Sequence, residues 1–302
     1  MELTQGVRFD TLELSPELLR ALLERNIVQS TPVQAGCIPP MLAWRDVIAK
    51  APTGTGKTFA YGIPIVEHID PEDESVQAVI LAPTRELAIQ ITDELRILYT
   101  YKPGIRAVCL YGGAPIGRQI DALKKHPQIV VATPGRLSDH MKRRTVTLGQ
   151  VQTVVLDEAD RMLDMGFIHD VRRIAEKLPE KRQTLMFSAT MPPEVEKLAM
   201  DLLHEPESVK VDPVSSTVKK IDQCLYYVDK ANKKHLLAKI LRAPDVENAL
   251  VFSRTKHGAD RIVRDLKREG IDAVAIHGDK SQNARQAALT AFKTGECKVL
   301  VA

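Results

Sequence analysis

Residues 51–58 read Ala51-Pro52-Thr53-Gly54-Thr55-Gly56-Lys57-Thr58, just after the apolar run Val47–Ala49 and just before a helical pattern from Phe59 to His68. A strand, a Gly-containing loop and a helix in that order can wrap backbone N–H groups around phosphate oxygens. Gly54 and Gly56 let the loop turn, and the helix N-terminus adds a favourable dipole. Lys57 would meet the β- and γ-phosphates, and Thr58 would hold Mg2+. Ala51 stands where the simple pattern has its first Gly. Further on, Thr153-Val154-Val155-Leu156 lead into Asp157-Glu158-Ala159-Asp160. At the end of a parallel strand beside the loop, Asp157 can reach the Mg2+ shell and Glu158 can polarise the attacking water. Two carboxylates after a strand could equally open an acidic helix. Coupled to the phosphate loop, they point to hydrolysis of ATP.

These groups need a scaffold that presents several strand ends on one side. Short β-branched runs predict strands near Val47–Ala49, Ala78–Leu81, Ala107–Leu110, Ile129–Ala132, Thr153–Leu156 and Thr184–Phe187, with amphipathic segments between them. That alternation predicts an α/β fold, a parallel sheet covered on both faces. The polar, Pro-containing stretch from Asp212 to Thr217 reads as a linker over residues 212–218. It separates a first unit, 1–211, from a second, 219–302. Strands are predicted there near Gln223–Val228, Ala249–Phe252, Ala273–Ile276 and Lys298–Val301. The chain stops inside the last of these, so a truncated second unit is expected.

Composition narrows the class. The chain has 302 residues, 44% hydrophobic and 27% charged, an ordinary globular balance of about two domains. No apolar run approaches the ~18 residues of a membrane helix. The start, Met1-Glu2-Leu3-Thr4-Gln5, lacks the regions of a signal peptide, so a cytoplasmic location is expected. Cys37, Cys109, Cys224 and Cys297 lie far apart, which suggests neither zinc nor a disulfide framework. His277 and the other histidines form no metal pattern. The net charge of +3 splits unevenly. Residues 213–302 carry 17 Lys/Arg against 10 Asp/Glu, or +7, and the remainder 25 against 29, or −4. A basic second half fits a polyanionic partner, though a solvated surface explains it as well. Aromatic residues are only 4%, too few for recognition by many stacked bases.

Asp157-Glu158-Ala159-Asp160 spells D-E-A-D, and with the other motifs the chain resembles the DEAD-box ATP-dependent RNA helicases over nearly its whole length. Ala82-Pro83-Thr84-Arg85-Glu86-Leu87-Ala88 matches motif Ia, and Gly112-Gly113 the GG motif. Thr133-Pro134-Gly135-Arg136 matches motif Ib, and Ser188-Ala189-Thr190 motif III. Val251-Phe252-Ser253-Arg254-Thr255-Lys256 resembles motif IV, and Gln282-Asn283-Ala284-Arg285 the Q-x-x-R element. The stretches Asp229–Leu237, Ala249–Arg261 and Ile276–Arg285 look most like the bacterial RhlE-type branch.

The resemblance implies two RecA-like lobes, with ATP and Mg2+ as cofactors and RNA as partner. It implies that Gln34 reads adenine, although Thr31-Pro32-Val33-Gln34 also reads as a helix capping box. Phe9 matches the family's isolated aromatic; as a lone Phe it would otherwise be core. Asn26-Ile27 replaces the usual Gly-Phe and Ser30 a Pro, so Ile27 can cover the base but not stack on it. Trp44 stands where the family has Gly. Ser188 and Thr190 are implied to couple the ATP site to the gap between lobes. RNA-backbone contacts are implied for Arg85, Gly113, Thr133 and Arg136 in the first lobe and for Arg254, Gly278, Asp279 and Arg285 in the second. Such contacts carry no base information. ATP and RNA together would close the lobes and bend one strand, and hydrolysis would release it.

The family's T-D-x-x-x-R-G-x-D and H-R-x-G-R-x-G-R motifs are not in this sequence. The second supplies an arginine to the γ-phosphate, a kind of contact worth about 10³–10⁵ in rate in other phosphate-hydrolysing enzymes. Weak ATP binding and poor hydrolysis by these 302 residues are therefore expected. The competing readings are a non-catalytic ATP- or RNA-binding module and a DNA translocase of the wider helicase superfamily.

Overall fold

The computed structural model describes residues 6–211 and 222–302. The chain divides into two compact units, Met1–Lys220 and Ile221–Ala302. The linker expected over 212–218 lies outside the described residues.

In the first unit the described strands are β1 (Val47–Lys50), β2 (Ala78–Leu81), β3 (Ala107–Leu110), β4 (Ile129–Ala132), β5 (Thr153–Leu156), β6 (Gln183–Ser188) and β7 (Glu207–Lys210). They form one parallel sheet in the order β3-β4-β2-β5-β6-β1-β7. The central strands β2, β4, β5 and β6 are buried at every position, as strands covered on both faces must be. Their residues alternate between two cores. Ala78, Ile80, Val131, Val155, Leu185 and Phe187 face one way. They meet α1 (Pro16–Leu23), α2 (Pro32–Leu42), α3 (Lys57–His68) and α4 (Arg85–Leu98). Val79, Leu81, Val130, Ala132, Val154 and Met186 face the other way. They meet α5 (Ile116–Leu123), α6 (Pro134–Lys142), α7 (Ala159–Asp164), α8 (Ile168–Ala175) and α9 (Pro193–Leu202).

β7 was not legible as a strand: Glu207-Ser208-Val209-Lys210 offers one apolar residue, and only Val209 is buried. Backbone pairing to β1 and a buried carboxylate place it. Asp46 accepts hydrogen bonds from the backbone N–H of Thr184 and of His204, both at 2.7 Å, while its carbonyl accepts from Glu207 N at 2.8 Å. One Asp thus ties the starts of β1, β6 and β7 together. Trp44, two residues earlier, has φ of +59°, a left-handed conformation that explains why the family has Gly there. Its ring stacks on His68 with centroids 3.9 Å apart, an offset to the strain.

The second unit holds β8 (Ala249–Val251), β9 (Ala273–Ala275) and β10 (Val299–Val301), parallel in the order β8-β10-β9. Around them lie α10 (Lys233–Leu241), α11 (Lys256–Arg268) and α12 (Gln282–Lys293). The strand expected at Gln223–Val228 is not one: residues 222–229 pair with no strand among the described residues, and Leu225, Tyr226 and Tyr227 are exposed. Period-two hydrophobicity makes a strand only where a neighbour supplies the ladder. Among the described residues no helix is long and apolar enough to cross a membrane.

Burial sorts the four free thiols chemically. It pushes the Cys37 thiol up to about 12 and that of Cys109 up to about 11, so neither offers a thiolate near neutral pH. Cys297 is buried and Cys224 exposed. Native maleimide labelling should modify Cys224 first and alone, and Cys224→Ser should abolish the fast phase; equally fast labelling of Cys37 would contradict this core.

Candidate nucleotide and nucleic-acid site

All strands of the first sheet run parallel, so the loops after β1, β5 and β6 emerge on the same edge, where open α/β sheets bind ligands. The loop after β1 runs from Ala51 to Gly56, and Ala51 N donates to the carbonyl of Ser188 at the end of β6 (3.0 Å). Gly54 and Gly56 have φ of +80° and +86°, so a side chain at either would be strained. At Gly56 space also forbids it, because a Cβ would sit 2.5 Å from Gln34 Nε2. Thr53 is exposed, and Thr55 Oγ1 donates to Pro52 O (2.8 Å), closing the turn. Lys57 opens α3 with its side chain buried, and its Nζ has no hydrogen-bond partner. A buried ammonium left unsatisfied is costly unless a ligand supplies the acceptors.

Gln34 realises the capping box. Its Oε1 accepts from Thr31 N (2.8 Å), and its own N–H reaches Thr31 Oγ1 (3.5 Å). Its Nε2 donates to Gly56 O (3.0 Å), so the same amide props the phosphate loop. Phe9, expected beside the nucleotide, is 2% exposed and belongs to the core against α1–α3. It packs the N-terminal segment onto that core, as a lone Phe would. Ile27 is half-buried against the same core. Asn26 before it has φ of +57°. Asn is the non-Gly residue that tolerates this conformation best, so the departure from the family's Gly keeps the backbone.

Asp157 follows β5 and is 2% exposed. Its Oδ2 accepts from Tyr61 Oη (3.0 Å), its Oδ1 from Glu158 N (2.9 Å). Burial pushes its carboxyl up to about 6; the Lys57 charge and the Tyr61 bond oppose that rise, and Glu158 adds to it. Thr58 is buried within the same α3 turn. Glu158 sits at φ +52°, uncommon for a residue with a side chain, and Arg161 Nη1 reaches its Oε2 at 3.4 Å.

The D-E-A-D pattern assigns Asp160 no role, and the structure gives it bonds that do. Its Oδ2 accepts from Thr190 N (2.8 Å) and Thr190 Oγ1 (2.7 Å). Its N–H donates to Ser188 Oγ (3.1 Å), whose hydroxyl donates to Thr190 O (2.7 Å). Burial pushes the Asp160 carboxyl up, but the bonds from Thr190 and Ser188 outweigh it and hold it below its usual range. Ser188 and Thr190 are therefore linked to the carboxylate segment directly.

A second set of residues occupies the neighbouring strand ends. β3, β4 and β2 adjoin in that order, and β2 adjoins β5. Arg85 begins α4 after β2, Gly113 follows β3, and Thr133 caps α6 after β4, with Arg136 in the first turn. Gly113 has φ of +83°, and a Cβ there would lie 2.2 Å from Arg85 Nη1, so guanidinium and glycine occupy one place. Arg136 Nη1 donates to Ala114 O (3.2 Å) and Gln119 Oε1 (3.0 Å). The sheet thus brings all four first-unit residues to the edge that carries the phosphate loop, on the side of β5 away from β1. In the second unit Arg254, Gly278 and Asp279 follow β8 and β9, and Arg285 lies in the first turn of α12. Arg254 is exposed, while Asp279 is paired with Lys256 at 2.8 Å.

A parallel sheet with a phosphate loop after β1 and an Asp-Glu pair after β5 defines an α/β nucleotide-binding protein of the P-loop type. Residues 31–198 match the model of the DEAD/DEAH box helicase family and residues 232–302 that of the helicase conserved C-terminal domain; the chain belongs to the DEAD/DEAH box helicases. It is 47% identical over 300 residues to the DEAD-box ATP-dependent RNA helicase CshA of Bacillus subtilis, covering 98% of this chain and 60% of that one. Against the ATP-dependent RNA helicase CshA of Limosilactobacillus reuteri it is 44% identical over 298 residues, 98% of this chain and 59% of the relative. The chain thus spans about three fifths of the length of such relatives. Among solved structures, a DEAD box protein from the hyperthermophile Methanococcus jannaschii superposes with a TM-score of 0.66 at 36% identity, covering 98% of this chain and 80% of that one. The dbp5 protein of S. cerevisiae, solved with gle1 and ip6, gives 0.76 at 29% identity, covering 99% and 75%. Both neighbours support the RecA-like reading of the fold. The RhlE-type branch rests on the sequence stretches alone.

Proposed function

We propose that the protein is an ATP-dependent RNA helicase, in which RNA-stimulated ATP hydrolysis is coupled to local duplex unwinding. The observation that carries this is the buried, unpartnered Lys57 ammonium inside a glycine cradle, on the sheet edge that also presents Asp157. The donor set fits a triphosphate: a cation, turned backbone N–H groups and a helix N-terminus. It fits Mg2+ as well, since Thr58 and Asp157 offer hard oxygens and the phosphates would complete the shell. The metal would neutralise phosphate charge. Glu158, held beside Asp157, would orient and deprotonate the attacking water. Asp160, with Ser188 and Thr190, would carry the state of that site into the Ser188-Ala189-Thr190 segment.

RNA would lie across Arg85, Gly113, Thr133 and Arg136 on the first unit; on the second unit, taken by itself, Arg254, Gly278, Asp279 and Arg285 are the candidates. Guanidinium forks, a glycine backbone and the α6 N-terminus suit phosphates rather than bases, so little sequence selectivity is expected. The four free thiols support a reducing cytoplasmic setting.

Fluorescence anisotropy with a labelled single-stranded oligouridine tests the RNA surface. Arg136→Ala should weaken binding about tenfold and lower the slope of log affinity against log salt by about 0.7, one phosphate contact on a single strand. Unchanged affinity and slope would remove Arg136 from that surface.

A further inference from the structure

Arg136 does not hold its place alone. Gln119, on α5, is 6% exposed, and both ends of its amide are used. Its Nε2 donates to the carbonyl of Tyr111, the residue before Gly112-Gly113, at 2.9 Å. Its Oε1 lies 3.0 Å from Arg136 Nη1 and 3.0 Å from His140 Nε2. A guanidinium only donates, so the amide cannot be turned round without setting N–H against N–H. His140 must then carry its proton on Nε2. Its other nitrogen lies 2.8 Å from Thr145 Oγ1 and accepts from that hydroxyl when the ring is neutral. The ring is fully buried. Burial first, then the charge of Arg136, holds it below the ordinary imidazole range.

We propose that Gln119 is a positioning residue for RNA binding: it fixes the Arg136 fork and, through Tyr111 O, locks the Gly112-Gly113 loop in register with it. With Nη1 engaged by Gln119 and Ala114, the Nη2 and Nε donors of Arg136 stay free for a phosphate. The side chain is then ordered before RNA arrives, and that ordering does not have to be supplied at binding. The inference rests on the reading of Arg136 as an RNA contact.

The test is a double-mutant cycle on oligouridine affinity across salt concentrations, with fluorescent ATP-analogue affinity and thermal melting measured alongside. Gln119→Leu should weaken RNA binding about fivefold and lower the salt slope by about 0.7, as Arg136→Ala does. The Gln119→Leu, Arg136→Ala pair should be no weaker than Arg136→Ala alone. Nucleotide affinity should stay within about twofold. Gln119→Asn, one methylene short but still polar, guards against loss of folding and should give the same pattern. If Arg136→Ala weakens binding while both Gln119 variants match the parent, or if the two losses multiply, the positioning role is overturned. If Arg136→Ala itself changes nothing, the RNA surface fails and the inference with it.

Discussion

Glu158→Gln should cut RNA-stimulated ATP turnover at least about a hundredfold while leaving ATP and RNA affinity within about twofold. The substitution keeps the size of the side chain and its place at the cap of α7, and removes the base. The geometry favours a large effect. Glu158 is held at φ +52°, a conformation a non-glycine residue keeps only where the surroundings impose it. Its N–H is tied to Asp157 Oδ1 at 2.9 Å, so the proposed base and the carboxylate proposed to hold the metal are neighbours on one turn. Turnover is to be measured on a chain carried through T-D-x-x-x-R-G-x-D and H-R-x-G-R-x-G-R, the motifs expected to complete the γ-phosphate site. Unchanged turnover would take Glu158 out of the base role. A loss confined to ATP affinity would make it a binding group instead.

Lys57→Met should weaken ATP binding about tenfold to a hundredfold, the range of one or two charge-assisted hydrogen bonds. Without ligand the same variant should melt close to its parent, because the loss of a buried ammonium that has no hydrogen-bond partner is offset by the loss of the charge that favours the buried Asp157 carboxylate. Thermal shift reads both effects. ATP and Mg2+ should raise the melting temperature of the parent, and at the same concentrations raise that of Lys57→Met less. A variant that melts well below its parent without ligand would show that Lys57 has a structural partner.

The first unit's scaffold was readable because its central strands are short and apolar on both faces: Ala78–Leu81 and Ile129–Ala132 carry no polar side chain, and each feeds alternating residues into two cores. β7 was not readable, since its placement comes from backbone pairing to β1 and from Asp46, which a local pattern does not encode. The reverse error at Gln223–Val228 has the same root: alternation predicts a strand, and pairing decides it. At the site, motif spacing identified the residues but not their bonds. Phe9 matched a family position and turned out to be core, as its type alone would suggest. Asp160 was visible in D-E-A-D, yet its hold on Thr190 needs a fold that brings two loops together. Gln119 gave no signal: a Gln on an amphipathic segment is ordinarily solvated, and only the fold, which lays α5 on β3, buries this one within reach of Arg136 and His140.

The central claim is that nucleotide hydrolysis and RNA contact are coupled on one sheet edge. Steady-state ATPase of the chain carried through the two later motifs, with no nucleic acid, with single-stranded RNA and with DNA of the same sequence, tests it most directly. The account predicts a low basal rate, strong stimulation by RNA and little by DNA, with stimulation reduced by Arg136→Ala. A rate that RNA leaves unchanged, or that DNA raises equally, would contradict it.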